Sequence, residues 1–250
     1  VSRIVCGINA VTQLQAARPR LLRRLLVQAG LGADRRARLA GVLEAAACPV
    51  VTLPAEELDR LTGGARHQGV AAEVEGDVVL DEGEARRLVE AAPAPLILLL
   101  DGVQDPRNLG SCLRTANAAG ADLVVTGRNR TVAMTPAASK VASGAAGVQP
   151  LAQVANLVRF MEFLKTAGVW LVGLDAGAPE SLYARDLTGG VALVLGAEGE
   201  GLRRLTREHC DFLASLPMAG DVASLNVAVA AGIALYESRR QRLAAPGGVR

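Results

Sequence analysis

The sequence is poor in aromatic residues, with one Trp, two Tyr and three Phe in 250 positions. Its core must therefore be built from Ala, Val and Leu, and a base-stacking platform is disfavoured as the main contact with nucleic acid. Cysteine is also scarce: Cys6, Cys48, Cys112 and Cys210 form no CxxC pair, and only His67 and His209 could join them. That spacing argues against zinc, so no metal is expected. Scattered cysteines without a signal peptide fit reduced thiols in the cytoplasm. No apolar run reaches the roughly 18 residues that span a bilayer. The closest, from Val222 to Tyr236, is interrupted by Ser224 and Asn226, so no membrane partner is expected. Lysine is almost missing, since Lys140 and Lys165 are the only two among 27 basic residues. Arginine favours phosphate forks, although Arg with abundant Ala and Gly is also what a GC-rich genome writes.

Half of the chain is hydrophobic, enough for a sizeable core, and the net charge is only +2. Its distribution is more informative. Residues 1–75 carry +3 and the remainder −1, which makes the front end the better candidate for contact with a polyanion. Residues 1–75 read as a small α/β unit. Helices are predicted at Ile8–Ala17 and Ala33–Ala47, and strands at Leu22–Gln28, Pro49–Leu53 and Gly69–Val74. Residues 76–95, acidic at first and closed by Pro93 and Pro95, form a candidate linker with room for a short helix at Glu84–Ala91.

From Leu96 the pattern becomes a regular strand–helix alternation. Predicted strands are Leu96–Asp101, Asp122–Thr126, Val169–Leu174, Val191–Leu195 and Phe212–Leu216. Predicted helices are Leu109–Ala119, Gln153–Ala167, Leu202–Glu208 and Leu225–Arg242. Continuously apolar strands separated by helices predict an α/β fold with a mostly parallel sheet covered on both faces.

Three blocks carry candidate chemistry. In Asp101–Asp122 a strand ends in a polar turn, Asn108 stands where a helix cap belongs, and Leu109, Leu113 and Ala116 recur at helical spacing beside Arg114. A plain cap and a surface charge would leave the same trace. In Gly196–Gly201, GAEGEG, glycines permit close backbone approach around Glu198. This is neither a dinucleotide fingerprint nor a P-loop. A carboxylate held in a tight cleft is a candidate for acid–base or electrostatic work, and a solvated turn is its ordinary alternative. In Leu216–Glu237 a Gly/Ser loop leads into a helix apolar all round, with Ser224 as the expected cap and Asn226 in the first turn. Such a helix must be buried on every side, in the core or a subunit interface, and a buried Asn226 needs partners. His67-Gln68-Gly69 closes the front unit; its histidine reads as RNA-contacting or loop-fixing.

In these blocks, NLGSCLRTA, LVLGAEGEGL and LPMAGDVASLNVAVAAGIALYE, the chain resembles the SpoU branch of the SPOUT methyltransferases. The resemblance extends through RRLTREHCD, GINAV and HQG and covers nearly the whole chain. It implies transfer of a methyl group from S-adenosylmethionine (SAM) to a ribose 2′-hydroxyl, and points to members acting on a guanosine of 23S rRNA. It further implies a catalytic domain over 96–250 with a C-terminal trefoil knot, an L30e-like RNA-binding domain over 1–75, and a homodimer. By resemblance, Gly196, Leu216 and Leu225 line the SAM pocket with Ala197, Pro217 and Met218 nearby. Asn108 and Arg114 face the ribose, and Glu198, Ser224 and Asn226 complete the catalytic cleft. Departures are Asn9 in place of a usual His, Ala228 in place of a Ser, and Asp221-Val222-Ala223 in place of a Ser-rich loop. The alternatives are the same chemistry on tRNA or another rRNA site, and a catalytically silent RNA-binding assembly factor.

Overall fold

The computed structural model describes residues 2–17, 19–65, 67–75, 79–128, 142 and 149–245. They form two compact units, the first ending before Val79 and the second starting there.

The first unit runs β1 (Ser2–Cys6), α1 (Ile8–Ala17), β2 (Leu22–Gln28), α2 (Ala33–Glu44), β3 (Val50–Leu53), α3 (Ala55–Leu61) and β4 (Val70–Glu75). Its sheet has the order β1-β4-β2-β3, with β4 antiparallel to β1 and β2, and β2 parallel to β3. Adjacent residues on a strand face opposite ways, and the sequence uses this fully. Leu25 and Ala72 join Leu14, Leu39 and Val42 on one face, whereas Leu26 and Ala71 meet Leu58 on the other. The first strand, β1, is not among the predicted ones; it is recognisable only by its pairing with β4.

The second unit runs β5 (Val79–Leu80), α4 (Glu82–Ala91), β6 (Leu96–Asp101), α5 (Pro106–Ala119), β7 (Leu123–Gly127), β8 (Leu151–Val154), α6 (Leu157–Thr166), β9 (Trp170–Leu174), β10 (Val191–Gly196), α7 (Arg204–His209), β11 (Phe212–Ala214) and α8 (Val227–Ala244). Its seven strands are all parallel, in the order β11-β9-β10-β6-β7-β8-β5. On one face Ile97, Leu99, Val125 and Val194 pack against Phe160, Met161 and Leu164 of α6 and Val89 of α4. Helices α5 and α8 pack together: a methyl placed on Gly232 would stand 3.4 Å from Thr115. Gly120, in the left-handed conformation at φ +77°, ends α5 in the way glycine permits at little cost.

The structure departs from the predicted elements in three places of this unit. From Val79 the segment expected as a linker is built into the sheet, Val79 pairing with Leu151, and a capping box between Asp81 and Glu84 starts α4. The predicted helix Gln153–Ala167 is a strand followed by a helix, because Asn156 caps α6 by accepting from the Arg159 N–H at 3.1 Å. A four-residue apolar run does not by itself distinguish strand from helix. Finally, α8 is not buried all round: Val229, Tyr236 and Leu243 are about half exposed.

The C-terminal turns of α8 are fastened by polar contacts. Arg242 donates to the carbonyls of Ala94 at 2.8 Å and Gly189 at 2.6 Å, and Gln241 accepts from the Leu187 N–H at 2.8 Å. Gln241 also donates to the buried Glu237, which Arg240 grips with two bonds of 2.7 and 2.8 Å. These bonds, the Arg240 guanidinium first, hold the Glu237 carboxyl below its ordinary value against the opposing effect of burial. A depressed folded-state value stabilises the fold above the unfolded value and loses that contribution as pH falls through the folded one. Stability measured by urea denaturation is therefore expected to decline from about pH 5 towards pH 3, and Glu237→Gln is expected to make that decline shallower.

Candidate active site

The carboxyl ends of β6 and β10 lie side by side in register, Gly196 opposite Asp101. The chain leaves β6 for β7 on one side, while β10 occupies the other, and such a reversal of strand order is where open α/β sheets bind ligands. Beyond Gly196 the backbone makes a tight turn, closed by a bond from the Gly201 N–H to the Ala197 carbonyl at 2.9 Å. Gly199 and Gly201 hold φ of +78° and +68°, the left-handed region that disfavours side chains. The returning chain passes so close that a Cβ on Gly196 would lie 2.0 Å from the carbonyl of Gly201.

Asp101 pins this turn. Its side chain is fully buried, and it accepts from the Arg203 backbone N–H at 3.1 Å and from the Arg203 guanidinium, with Nε at 2.5 Å. The pairing raises the Arg203 guanidinium pKa still further above its ordinary value. Glu198 is thereby carried at the exposed tip of a braced loop.

Two helix starts meet that tip. Asp105, not Asn108, caps α5, accepting from the Arg107 N–H at 2.8 Å, with Pro106 as the first helical residue. Asn108 is thus freed from capping and sits half-buried in the first turn. Asn226, not Ser224, caps α8, its Oδ1 accepting from the Ala228 N–H at 2.9 Å. Its Nδ2 donates to Asn108 Oδ1 at 3.0 Å and to Glu198 Oε1. The amide orientation follows from this network, since a flipped Asn226 would set its oxygen against two acceptors. Asn226 is exposed rather than buried, and its partners come from the chain itself.

The structure therefore joins Asn108, Glu198 and Asn226. Arg114 lies on the exposed side of α5 and Ser224 on the exposed loop before α8. Leu216, Met218 and Leu225 are half-buried and Pro217 is exposed. No backbone group of residues 216–225 bonds to another described residue. Half-buried apolar side chains beside unpaired backbone donors and acceptors suit the purine edge and flanks of an adenosine, so these residues fit SAM. The thiols are not nucleophiles in waiting: burial pushes Cys112 up to about 12, and burial with the Asp211 charge does the same for Cys210. Among the described residues no cluster could hold a metal ion, and no helix is long and apolar enough to cross a membrane.

The family model of the SpoU rRNA methylases matches residues 95–236. The chain belongs to the SpoU rRNA methylase family. Residues 4–77 match the RNA 2′-O ribose methyltransferase substrate-binding model, so this SpoU chain carries that domain in front of its methylase domain. It is 45% identical to the 23S rRNA (guanosine-2′-O-)-methyltransferase RlmB of Pseudomonas putida, over 95% of this chain and 96% of that one. It is 43% identical to RlmB of Escherichia coli K12, over 97% and 100%. Among solved structures, the SpoU methyltransferase AviRb of Streptomyces viridochromogenes with AdoMet superposes with a TM-score of 0.77, covering 98% and 92% of the chains at 24% identity, and supports the fold. An AdoMet-bound rRNA methyltransferase from Sinorhizobium meliloti gives 0.72 at 25% identity, covering 96% and 87%.

Sequence reasoning singled out Asn108, Glu198 and Asn226, which the structure brings together, and missed the Asp101–Arg203 pair. Its signal was present, a carboxylate closing an apolar strand and an arginine just past a glycine turn, but the partners are 102 positions apart. Gly196→Ala is expected to cost at least about 3 kcal/mol in urea denaturation, because backbone rather than a flexible side chain must give way. Gly189→Ala, with open space around the added methyl, is expected to change stability by less than about 1 kcal/mol.

Proposed function

We propose that this protein transfers a methyl group from SAM to the ribose 2′-hydroxyl of a guanosine in 23S rRNA. The observation that carries this reading is the near-full-length similarity, at 43 and 45% identity, to two relatives named for that reaction. The geometry supplies chemistry to match. SAM, when bound, provides an electrophilic methyl carbon.

A ribose hydroxyl is a poor nucleophile until its proton is withdrawn. Asn226 occupies one oxygen of Glu198 and the oxygen of Asn108. Glu198 Oε2 and the Asn108 Nδ2 group remain for substrate. In this reading Glu198 accepts the hydroxyl proton, directly or through a water, while Asn108 donates to the ribose and fixes its approach. Arg114 holds the neighbouring phosphate with its guanidinium fork and steadies the developing oxyanion. Ser224 borders the cleft. Gly196, Ala197 and residues 216–218, with Leu225, hold SAM largely through backbone groups. The substrate-binding unit grips the RNA, and the methylase unit carries the family's trefoil knot.

The reading includes a homodimer. Val229, Tyr236 and Leu243, each about half exposed, recur every seven residues on α8 and form one apolar stripe suited to a second copy.

The test is incubation with isotope-labelled SAM and unmodified 23S rRNA, followed by digestion. Labelled 2′-O-methylguanosine at one site is the expected result; label in tRNA alone would move the substrate, and no label in any RNA or assembling ribosomal particle would overturn the reaction. Glu198→Gln is expected to lower kcat about 100-fold or more. Arg114→Lys is expected to lower kcat/KM about tenfold or more, and wild-type activity there would remove any need for the guanidinium fork.

A further inference from the structure

The substrate-binding unit contains a polar cavity of about 520 Å3 lined by Gln28, Arg35, Arg38, Asp59, His67 and Gln68 among others. A second hollow of about 400 Å3 shares Gln28, Arg35 and Arg38 and extends along the first turn of α2. That helix begins at Gly32 with no side-chain cap, so the N–H groups of Ala33 and Asp34, residues that line the hollow, have no side-chain acceptor. Resting on the RNA-methylating reading above, we propose that these joined hollows hold one unpaired nucleotide of the RNA, its phosphate on Arg35 and Arg38 and its base edge on the Gln68 amide.

The volume suits a small organic group rather than a lone ion. Among the described residues no Phe, Tyr or Trp lines it, and the His67 ring is tied to Asp59 and Gly69, so recognition falls to hydrogen bonds and charge. Arg35 and Arg38 are exposed and one helical turn apart. Arg38 has only a long contact of 3.4 Å to the Asp34 carbonyl, which leaves its fork free for phosphate. The one carboxylate of the larger cavity, Asp59, is engaged by His67 Nε2 at 2.8 Å.

Gln68 is the residue that marks the cavity as built. It holds φ +56°, the only described non-glycine residue in the left-handed region. Strain of that kind persists where the surroundings enforce it, and it concentrates at ligand clamps. The enforcement is visible. His67 Nδ1 accepts from the Gly69 N–H at 3.0 Å, which requires that nitrogen unprotonated. Gln68 Oε1 accepts from the Ile8 N–H at 3.2 Å, leaving its NH2 group for a base edge. His67 is therefore a loop-fixing residue, and the unit's cationic contact comes from α2.

The test measures binding of the full-length protein to unmodified 23S rRNA across a salt series, beside SAM affinity and methyl transfer. Arg35→Gln/Arg38→Gln is expected to weaken RNA binding about 10- to 100-fold and to flatten the log–log salt slope by about 0.7 per lost phosphate contact. SAM affinity and kcat at saturating RNA are expected to stay within twofold. Gln68→Gly, which relieves the strain, is expected to weaken binding about threefold or more without lowering the Tm. RNA affinity and slope within twofold of wild type in the double variant would overturn the proposal. So would an equal loss from Arg36→Gln, on the same helix but outside the cavity, because that would make the effect one of diffuse charge. Cavity-dependent RNA binding without any methyl transfer would support this site while sinking the catalytic reading.

Discussion

The active cleft depends on one ion pair. Asp101 ends the central strand β6 with its carboxylate fully buried, and Arg203 closes over it from beyond the glycine turn with both its backbone N–H and its guanidinium. A buried carboxylate without a partner is costly, so the turn has one stable seat. Breaking such a pair typically costs about 3–5 kcal/mol; the figure here falls towards the lower end, since Arg203 keeps 42% of its side chain exposed. The pair's importance is positional rather than energetic, because it fixes where residues 197–202 run and hence where Glu198 stands.

Around that anchor the cleft assembles from three distant stretches of chain. Each contributes a residue whose local needs are met by a neighbour: Asp105 caps α5 so that Asn108 can face outward, and Asn226 caps α8 with its oxygen while its nitrogen bridges Asn108 and Glu198. The bridging amide commits both of its N–H donors to the protein, which leaves one carboxylate oxygen and one amide group on its partners. In the proposed reaction that donor–acceptor pair is preorganised, the arrangement that lowers barriers without reorganisation. The glycines serve the same end by letting two backbone segments touch at Gly196.

Much of this was legible in the sequence where one residue type has one physical meaning. The runs LILLL and VALVL, each closed by a polar or glycine turn and set in a strand–helix alternation, mark buried strands, and the glycines after VALVL mark a tight turn. Motif resemblance proposed Asn108, Glu198 and Asn226 for one cleft, and they are hydrogen-bonded neighbours. Helix caps were misread at both Asn108 and Ser224, because several cap-forming residues crowd each start and the winner depends on which is needed elsewhere. Strands β1, β5 and β8 escaped because they are short and defined by their partners, not by a period. Composition marked α8 as apolar without distinguishing core from subunit interface, because it reports apolarity, not what covers it; in the single chain Val229, Tyr236 and Leu243 are about half exposed. The Asp101–Arg203 pair, like the cavity between α2 and Gln68, exists only in three dimensions.

That Asp101 braces the turn carrying Glu198 is tested by amide hydrogen exchange in an Asp101→Asn variant. The amides of Gly201 and Arg203, bonded to Ala197 and Asp101, should lose protection by at least tenfold, while those of β6 and the centre of α8 exchange as in the wild type. Unchanged protection across residues 197–203 would mean that the glycine turn holds itself without Asp101.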